Sequence, residues 1–226
     1  MISIIVPCFN HGGFLEDAVK SIFLNDTKEE KEVIIVDDAS TDDSYAIALS
    51  LKNKYPIEVL RHESNRKTSA TRNLGIQHAK GDLILCLDAD DVIPGNYISA
   101  CLETMNRFNV DIVYNNSQEF GTSDRLFDWP EFTSDKLKTG NFIHCSAIYK
   151  KTVWDTVGGY DTNMVTGNED YEFWLNALVH DFKFKKCNTT FLWYRQTGKG
   201  RNGISTEEER KQMNDYIKTK YTGKLW

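Results

Sequence analysis

Leu83-Ile84-Leu85-Cys86-Leu87-Asp88-Ala89-Asp90-Asp91 runs five apolar residues straight into three carboxylates. An apolar run without polar alternation suits a strand covered on both faces. The acids mark where it leaves the core. The pattern occurs twice upstream, where Ile2 to Val6 precedes Pro7-Cys8-Phe9-Asn10 and Val33 to Val36 precedes Asp37-Asp38-Ala39-Ser40-Thr41-Asp42. Ile57 to Leu60 and Asp111 to Tyr114 read as two further strands. Between them lie segments of helical period: Phe14, Val19, Ile22 and Phe23, then Tyr45, Ala48 and Leu51, then Ser69 to Ala79. Ser40 or Thr41 is placed to cap the second helix, and Pro94 suits the first turn of the helix after Asp91. Strands alternating with helices predict an α/β fold with a mostly parallel central sheet and right-handed crossovers.

The alternation stops near residue 115. Asn116 to Thr139 reads as a hairpin or excursion, Ser146 to Tyr149 as a strand, and Lys151 to Val157 and Glu169 to His180 as helices. Phe182 to Phe184 and Thr190 to Tyr194 read as two late strands, Gln196 to Gly203 as a Gly-rich basic loop, and Thr206 to Tyr221 as a polar terminal helix. No repeat or linker divides the 226 residues, so one domain is expected, with residues 1–115 and 116–226 as its halves.

The charge balance, 27 Lys plus Arg against 33 Asp plus Glu, argues against broad binding to a phosphate backbone, so no nucleic-acid partner is expected. Five cysteines without a CxxC disfavour a disulfide framework or a zinc knuckle. No apolar run reaches the length of a membrane span, and MISIIVPCFN lacks a basic leader. A cytoplasmic chain is the expectation, with any membrane contact peripheral.

In open α/β sheets ligands bind beyond the carboxyl ends of the strands. Carboxylates converging there repel one another unless a cation or hydrogen-bond donors offset the charge. Asp88 and Asp90, two apart, suit a hard cation shared with a diphosphate; capping of the turn before Pro94 is the plainer alternative. Asp37 and Asp38 could accept hydrogen bonds from a base or a ribose, or could cap. Arg72 could serve an anion near a helix start or form a surface ion pair. Glu169-Asp170 could be dipole-favoured helix openers, or could supply a general base. GxGxxG, GxxxxGK[ST] and GxSxG are all absent.

Taken in order, Val6-Pro7-Cys8-Phe9-Asn10, Val36-Asp37-Asp38-Ala39-Ser40-Thr41-Asp42, Ala70-Thr71-Arg72-Asn73 with Gly75, Gly81-Asp82, Leu87-Asp88-Ala89-Asp90-Asp91, Gly158-Gly159-Tyr160-Asp161 and Glu169-Asp170 resemble the family 2 glycosyltransferases. The resemblance runs from residue 1 to about residue 195. It implies the Rossmann-like GT-A fold with a small acceptor-side β/helical extension, and an inverting transfer from a nucleotide diphosphate sugar with Mn²⁺ or Mg²⁺. By that analogy Pro7, Phe9, Asn10, Asp37 and Asp38 would line the base and ribose pocket, with Arg72 near the nucleotide. Asp88 would bind ribose or metal, Ala89 would also lie against the donor, Asp90 would hold the metal against the diphosphate, and Asp170 would deprotonate the acceptor hydroxyl. A uridine donor is expected, and an acceptor on a glycan, glycolipid or glycoprotein. The first half would then bind the nucleotide sugar and the second the acceptor.

Members of the family often carry a His shortly after a Tyr-Arg at the end of the late strand; here Tyr194-Arg195 leads into Gln196-Thr197-Gly198. Lys199 and Arg201 are candidate phosphate clamps in its stead. Asp128, Trp129, Phe132 and Glu169 are candidate acceptor contacts, with anchoring of the excursion to the core as the alternative for Trp129. Two other functions fit less of the chain: a sugar nucleotidyltransferase, and an inactive module that binds nucleotide sugars or glycans.

Overall fold

The computed structural model describes residues 1–197 and 206–226. Strand β1, Ile2–Cys8, is buried along its whole length. It pairs in parallel with β2, Lys31–Asp37, on one side and β4, Leu83–Cys86, on the other; β3, Ile57–Arg61, extends the sheet beyond β2. Side chains alternate across a strand. Ile4 and Val6 therefore join one core with Leu15, Val19 and Ile22 of helix α1, Gly12–Phe23, and with Ile98 and Met105 of α4, Tyr97–Phe108. Ile5 joins a second core on the opposite face with Ile76 of α3, Lys67–His78. A Cβ on Gly75 would collide with the Ile5 side chain, so this glycine lets α3 lie close on the sheet.

Helix α2, Ser44–Leu51, completes the crossover from β2 to β3. Its start differs from the expectation. Neither Ser40 nor Thr41 caps it: Asp43 is the N-cap, Asp42 Oδ1 accepts the Ser44 N–H at 2.9 Å, and Ser40 Oγ accepts from the Asn10 N–H instead. Pro94 likewise precedes α4 rather than opening it; its carbonyl accepts the Tyr97 N–H.

Beyond α4 the sheet becomes mixed. Strand β5, Ile112–Gly121, runs past the apolar stretch into polar residues. It can do so because its burial falls from complete to partial along its length, and it turns back into the short β6, Leu126–Phe127. Helix α5, Ser134–Thr139, strand β7, Ile148–Lys150, and helix α6, Lys151–Val157, follow. Helix α7, Glu169–Val179, leads into β8, Phe184–Gln196, and α8, Glu207–Tyr221, ends the chain. The two late strands expected are one strand: β8 stays parallel to β5 across an irregularity where Asn115 pairs with Cys187 and Asn116 with Phe191. Lys185 and Lys186 continue the pairing, and the residues left over at the irregularity are Asn188, Thr189 and Thr190.

The order is β3-β2-β1-β4-β7-β5-β6, with β8 on β5, and β7 antiparallel to both its neighbours. Helices α6 to α8 cover the face of the second core, where Val153, Phe173, Trp174, Ile217 and Tyr221 are buried. All five cysteines are buried thiols. Among the described residues no helix is long and apolar enough to cross a membrane.

Candidate active site

The carboxyl ends of β1, β2 and β4 share one edge. Cys8 stands in register with Asp37, and Leu87 N–H bonds Ile5 O, so Asp37 and Asp88 emerge on either side of β1. Pro7 is buried within β1. Phe9, just past it, is 42% exposed.

Two expected ligand residues are occupied as scaffold. Asn10, at φ 57, accepts on Oδ1 from the backbone N–H groups of Thr41 (2.8 Å) and Asp42 (3.3 Å), bracing one strand-end loop against another. Asp38 accepts the N–H of Arg66 (2.7 Å) on one oxygen and that of Lys67 (2.9 Å) on the other, seating the start of α3. Capping is what the geometry gives Asp38.

Asp37 is different. Oδ2 meets Arg61 Nε (3.1 Å) and the Ser40 N–H (3.2 Å), whereas Oδ1 is buried with no partner among the described residues. His62 Nε2, Asn65 Oδ1, Ser69 Oγ and Arg72 Nε are also buried and unpartnered. These five are most of the eight such atoms among the described residues; four lie between the end of β2 and the first turn of α3, and Arg72 Nε follows further along α3. Buried polar atoms are rarely left unpaired, so this corner suits a polar ligand that would complete it.

Arg72, 2% exposed, joins distant parts of the chain. One Nη donates to Asp88 Oδ1 at 2.8 Å and the other to Glu169 Oε1 at 2.6 Å, while the guanidinium lies 5.5 Å from the centre of the Tyr160 ring. Its neighbour Asn73 binds Tyr160 N–H and O and accepts from Trp154 Nε1, locking the Gly158-Gly159 turn onto α3. Both glycines take positive φ (83° and 87°) that other residues avoid. This interlock brings the first turn of α7 to the acidic edge. Cys145 marks the meeting point: its Sγ lies 3.5 Å from Asp88 Oδ2. Burial raises its pKa well above the usual thiol value; Arg72 opposes this, and the charges of Asp88 and Asp170 add to it.

Asp90 is held above the usual carboxylate range, first by burial and then by the charge of Asp88; His11, Nδ1 3.8 Å away, works against this. Asp91 is raised further by burial, with Asp90 and Asp88 adding to it, although it accepts the Arg195 N–H at 2.9 Å. Ala89 between them is buried. Three acids crowded with too little positive charge suit a cation. No group of three or more His, Cys, Asp or Glu among the described residues forms a cage. The Asp88–Asp90 pair therefore fits a hard cation that fills its shell with phosphate oxygens, and does not fit one held by protein alone.

The remaining candidates follow β6 in the chain or fall outside the described residues. Asp128 pairs with Lys186 (2.8 Å) and Asn116; Trp129 stacks on Phe127 and donates to Ser117 Oγ; Phe132 stacks on Phe184. Asp128 and Phe132 tie the β5–β6 excursion to β8, and Trp129 packs against the second core. Lys199 and Arg201 fall outside the described residues. His62, Asn65, Ser69, His11 and Cys145 were missed. His62 directly follows a strand, as Asp88 nearly does, and the same rule would have flagged it. Nothing in the pattern around Cys145 singles it out.

His144, next to Cys145, makes acid stability testable. Its Nε2 faces Asn115 O (3.2 Å), and its Nδ1 is buried without a partner among the described residues. Burial pushes its pKa down to about 4 from 6.5. The unfolded chain therefore binds a proton that the folded one refuses. The contribution is whole above pH 6.5 and is lost as pH falls toward 4, by at most about 3 kcal/mol. Urea unfolding of His144→Gln against the parent should show this slope in the parent only.

Comparison with known proteins gives the family and the fold. The model of the family described as "Glycosyl transferase family 2" matches residues 3–171. A chondroitin synthase of Pasteurella multocida strain Pm70 is 25% identical over 222 residues, 96% of this chain and 22% of that protein. The chain thus spans about a fifth of that relative's length. An Escherichia coli protein named UDP-Glc:alpha-D-GlcNAc-diphosphoundecaprenol beta-1,3-glucosyltransferase WfaP is 28% identical over 199 residues, covering 86% of this chain and 77% of that one. Among solved structures, Staphylococcus aureus TarS 1-349 in complex with UDP-GlcNAc superposes with a TM-score of 0.81 at 19% identity, over 96% of this chain and 65% of that one. The mannosyltransferase PcManGT of Pyrobaculum calidifontis, in complex with GDP-Man and Mn²⁺, gives 0.70 at 16%, over 89% and 58%. The fold is the GT-A one.

Proposed function

We propose, since the chain belongs to glycosyl transferase family 2, that it moves a sugar, with inversion, from a UDP-sugar to an acceptor hydroxyl on a glycan, glycolipid or glycoprotein. The observation that carries this reading is the corner of unpaired buried atoms around Asp37 lying beside the crowded Asp88–Asp90 pair. A nucleoside would satisfy the first and a cation-bound diphosphate the second. A uridine donor is favoured because WfaP is named for UDP-Glc and TarS is titled with UDP-GlcNAc.

In this mechanism the base and ribose lie between Phe9, Pro7 and Asp37, and Asp37 Oδ1 accepts a hydrogen bond from them. Asp90, with Asp88, would hold Mn²⁺ or Mg²⁺, which would offset the charge gained by the departing diphosphate. Arg72 keeps Asp88 aimed, and ties it to the helix that carries the base. The transition state is oxocarbenium-like at the anomeric carbon. Asp170 takes the acceptor proton as the oxygen attacks from the face opposite the diphosphate. One such attack turns an α-linked donor into a β product. The 1–115 half thus serves the donor and the 116–226 half the acceptor.

The test is turnover across UDP-Glc, UDP-GlcNAc, UDP-Gal, UDP-GlcA and GDP-Man with a panel of glycan acceptors, followed by proton NMR of the product. A β product from one of the UDP-sugars is expected. An α product, or release of pyrophosphate from a nucleoside triphosphate and a sugar phosphate, would overturn the reading.

A further inference from the structure

The family match ends at residue 171, yet the residue after it is tied to the far end of the chain. Glu172, in the first turn of α7, is 0% exposed. Its Oε1 accepts from the Tyr221 hydroxyl and lies 2.8 Å from Lys220 Nζ, both on α8. Lys220 Nζ also reaches Asp161 Oδ2 at 2.6 Å, and the Tyr216 hydroxyl donates to the same oxygen at 2.7 Å. Asn168, the N-cap of α7 at φ 61, makes no side-chain cap; its Nδ2 donates to Asn214 of α8 at 3.3 Å. Ile217 and Tyr221 bury the adjoining face of α8 in the second core. The first turn of α7 is therefore gripped twice, by Arg72 through Glu169 and by α8 through Asn168 and Glu172. Asp170 lies between the two grips.

A buried carboxylate is tolerated only with its counter-charge in place; removing one partner leaves an uncompensated charge that the surroundings must move to hydrate. The structure rewards one seating of α7 and penalises others. Resting on the reading of Asp170 as general base, we propose that Lys220 and Tyr221 are positioning residues, which through Glu172 set where Asp170 stands relative to Asp88 and the donor. A helix outside the family match would then tune the base without touching donor or acceptor. Small displacements of a base are costly because proton transfer needs hydrogen-bond reach at the moment of attack.

The experiment compares Lys220→Met, Lys220→Arg, Glu172→Gln/Lys220→Met, Asp170→Asn and Asp170→Asn/Lys220→Met. Turnover is measured on the parent's best donor, affinity by calorimetry with UDP plus Mn²⁺, and amide exchange across residues 169–173. Lys220→Met is expected to cut kcat about tenfold or more, hold UDP affinity within about twofold, and speed exchange in the first turn of α7. Lys220→Arg, and the double variant in which a neutral Gln needs no counter-charge, should recover most of kcat. In the Asp170→Asn background Lys220→Met should cost nothing further. A slow Asp170→Asn with a folded Lys220→Met of normal kcat overturns the positioning role alone. Normal turnover in Asp170→Asn overturns the base reading instead. Parallel loss of UDP affinity, kcat and melting temperature in Lys220→Met, without recovery in the double variant, reduces α8 to a structural prop and also rejects the proposal.

Discussion

Asp170→Asn will leave UDP binding intact and slow sugar transfer by roughly 10²–10⁴, the span expected when a positioned general base is lost. The substitution is close to isosteric. The Asp170 carboxylate accepts the Tyr171 N–H at 2.8 Å, a bond the Asn carbonyl can keep, so the helix start should survive. What disappears is the basic oxygen. Because Glu169 is engaged with Arg72 and Glu172 with α8, neither neighbour is placed to substitute. Single-turnover rates with saturating donor would separate this from slow product release. Unchanged rates would remove Asp170 from the chemistry.

Arg72→Met should produce the largest loss of stability. The guanidinium is almost fully buried and satisfies Asp88 and Glu169 at once; a thioether leaves both carboxylates facing each other across an apolar chain. Breaking a buried ion pair from one side costs about 3–5 kcal/mol, and the lower figure applies here because the Asp88 side chain stays 33% exposed. For a chain of this length, about 3 kcal/mol corresponds to a fall in melting temperature of roughly 6–12 °C. Arg72→Lys should recover only part of it, since one ammonium cannot span both acids as a planar fork does. A melting temperature within about 2 °C of the parent for Arg72→Met would contradict the assignment of Arg72 as the joint between sheet and α7.

The half of the molecule whose acids stand at strand ends was legible because its rules are local. Ile2 to Val6 is apolar without a break and Asp37 and Asp88 break sharply from their strands, so the edge could be located from polarity alone. The second half follows no such rule. Arg72 and Glu169 meet across 97 positions, joined by the Asn73 interlock with Gly158-Gly159 rather than by any periodic pattern. Cys145 enters the site because β7 inserts antiparallel between β4 and β5, which nothing in its own stretch announces. The bulge in β8 hid one strand as two. The acids were also legible as a group but not individually: Asp37 and Asp38 are neighbours in sequence, yet one keeps an unpaired oxygen and the other spends both on the backbone of α3.

On the proposed reading, acidic residues at this edge hold a nucleoside diphosphate through a shared cation. Calorimetric titration of UDP into the parent and into Asp90→Ala, each with and without Mn²⁺, tests it most directly. Binding to the parent that strengthens markedly with Mn²⁺, and a loss of that enhancement in Asp90→Ala, is the predicted result. Equal affinity in all four titrations, or no UDP binding at all, would contradict it.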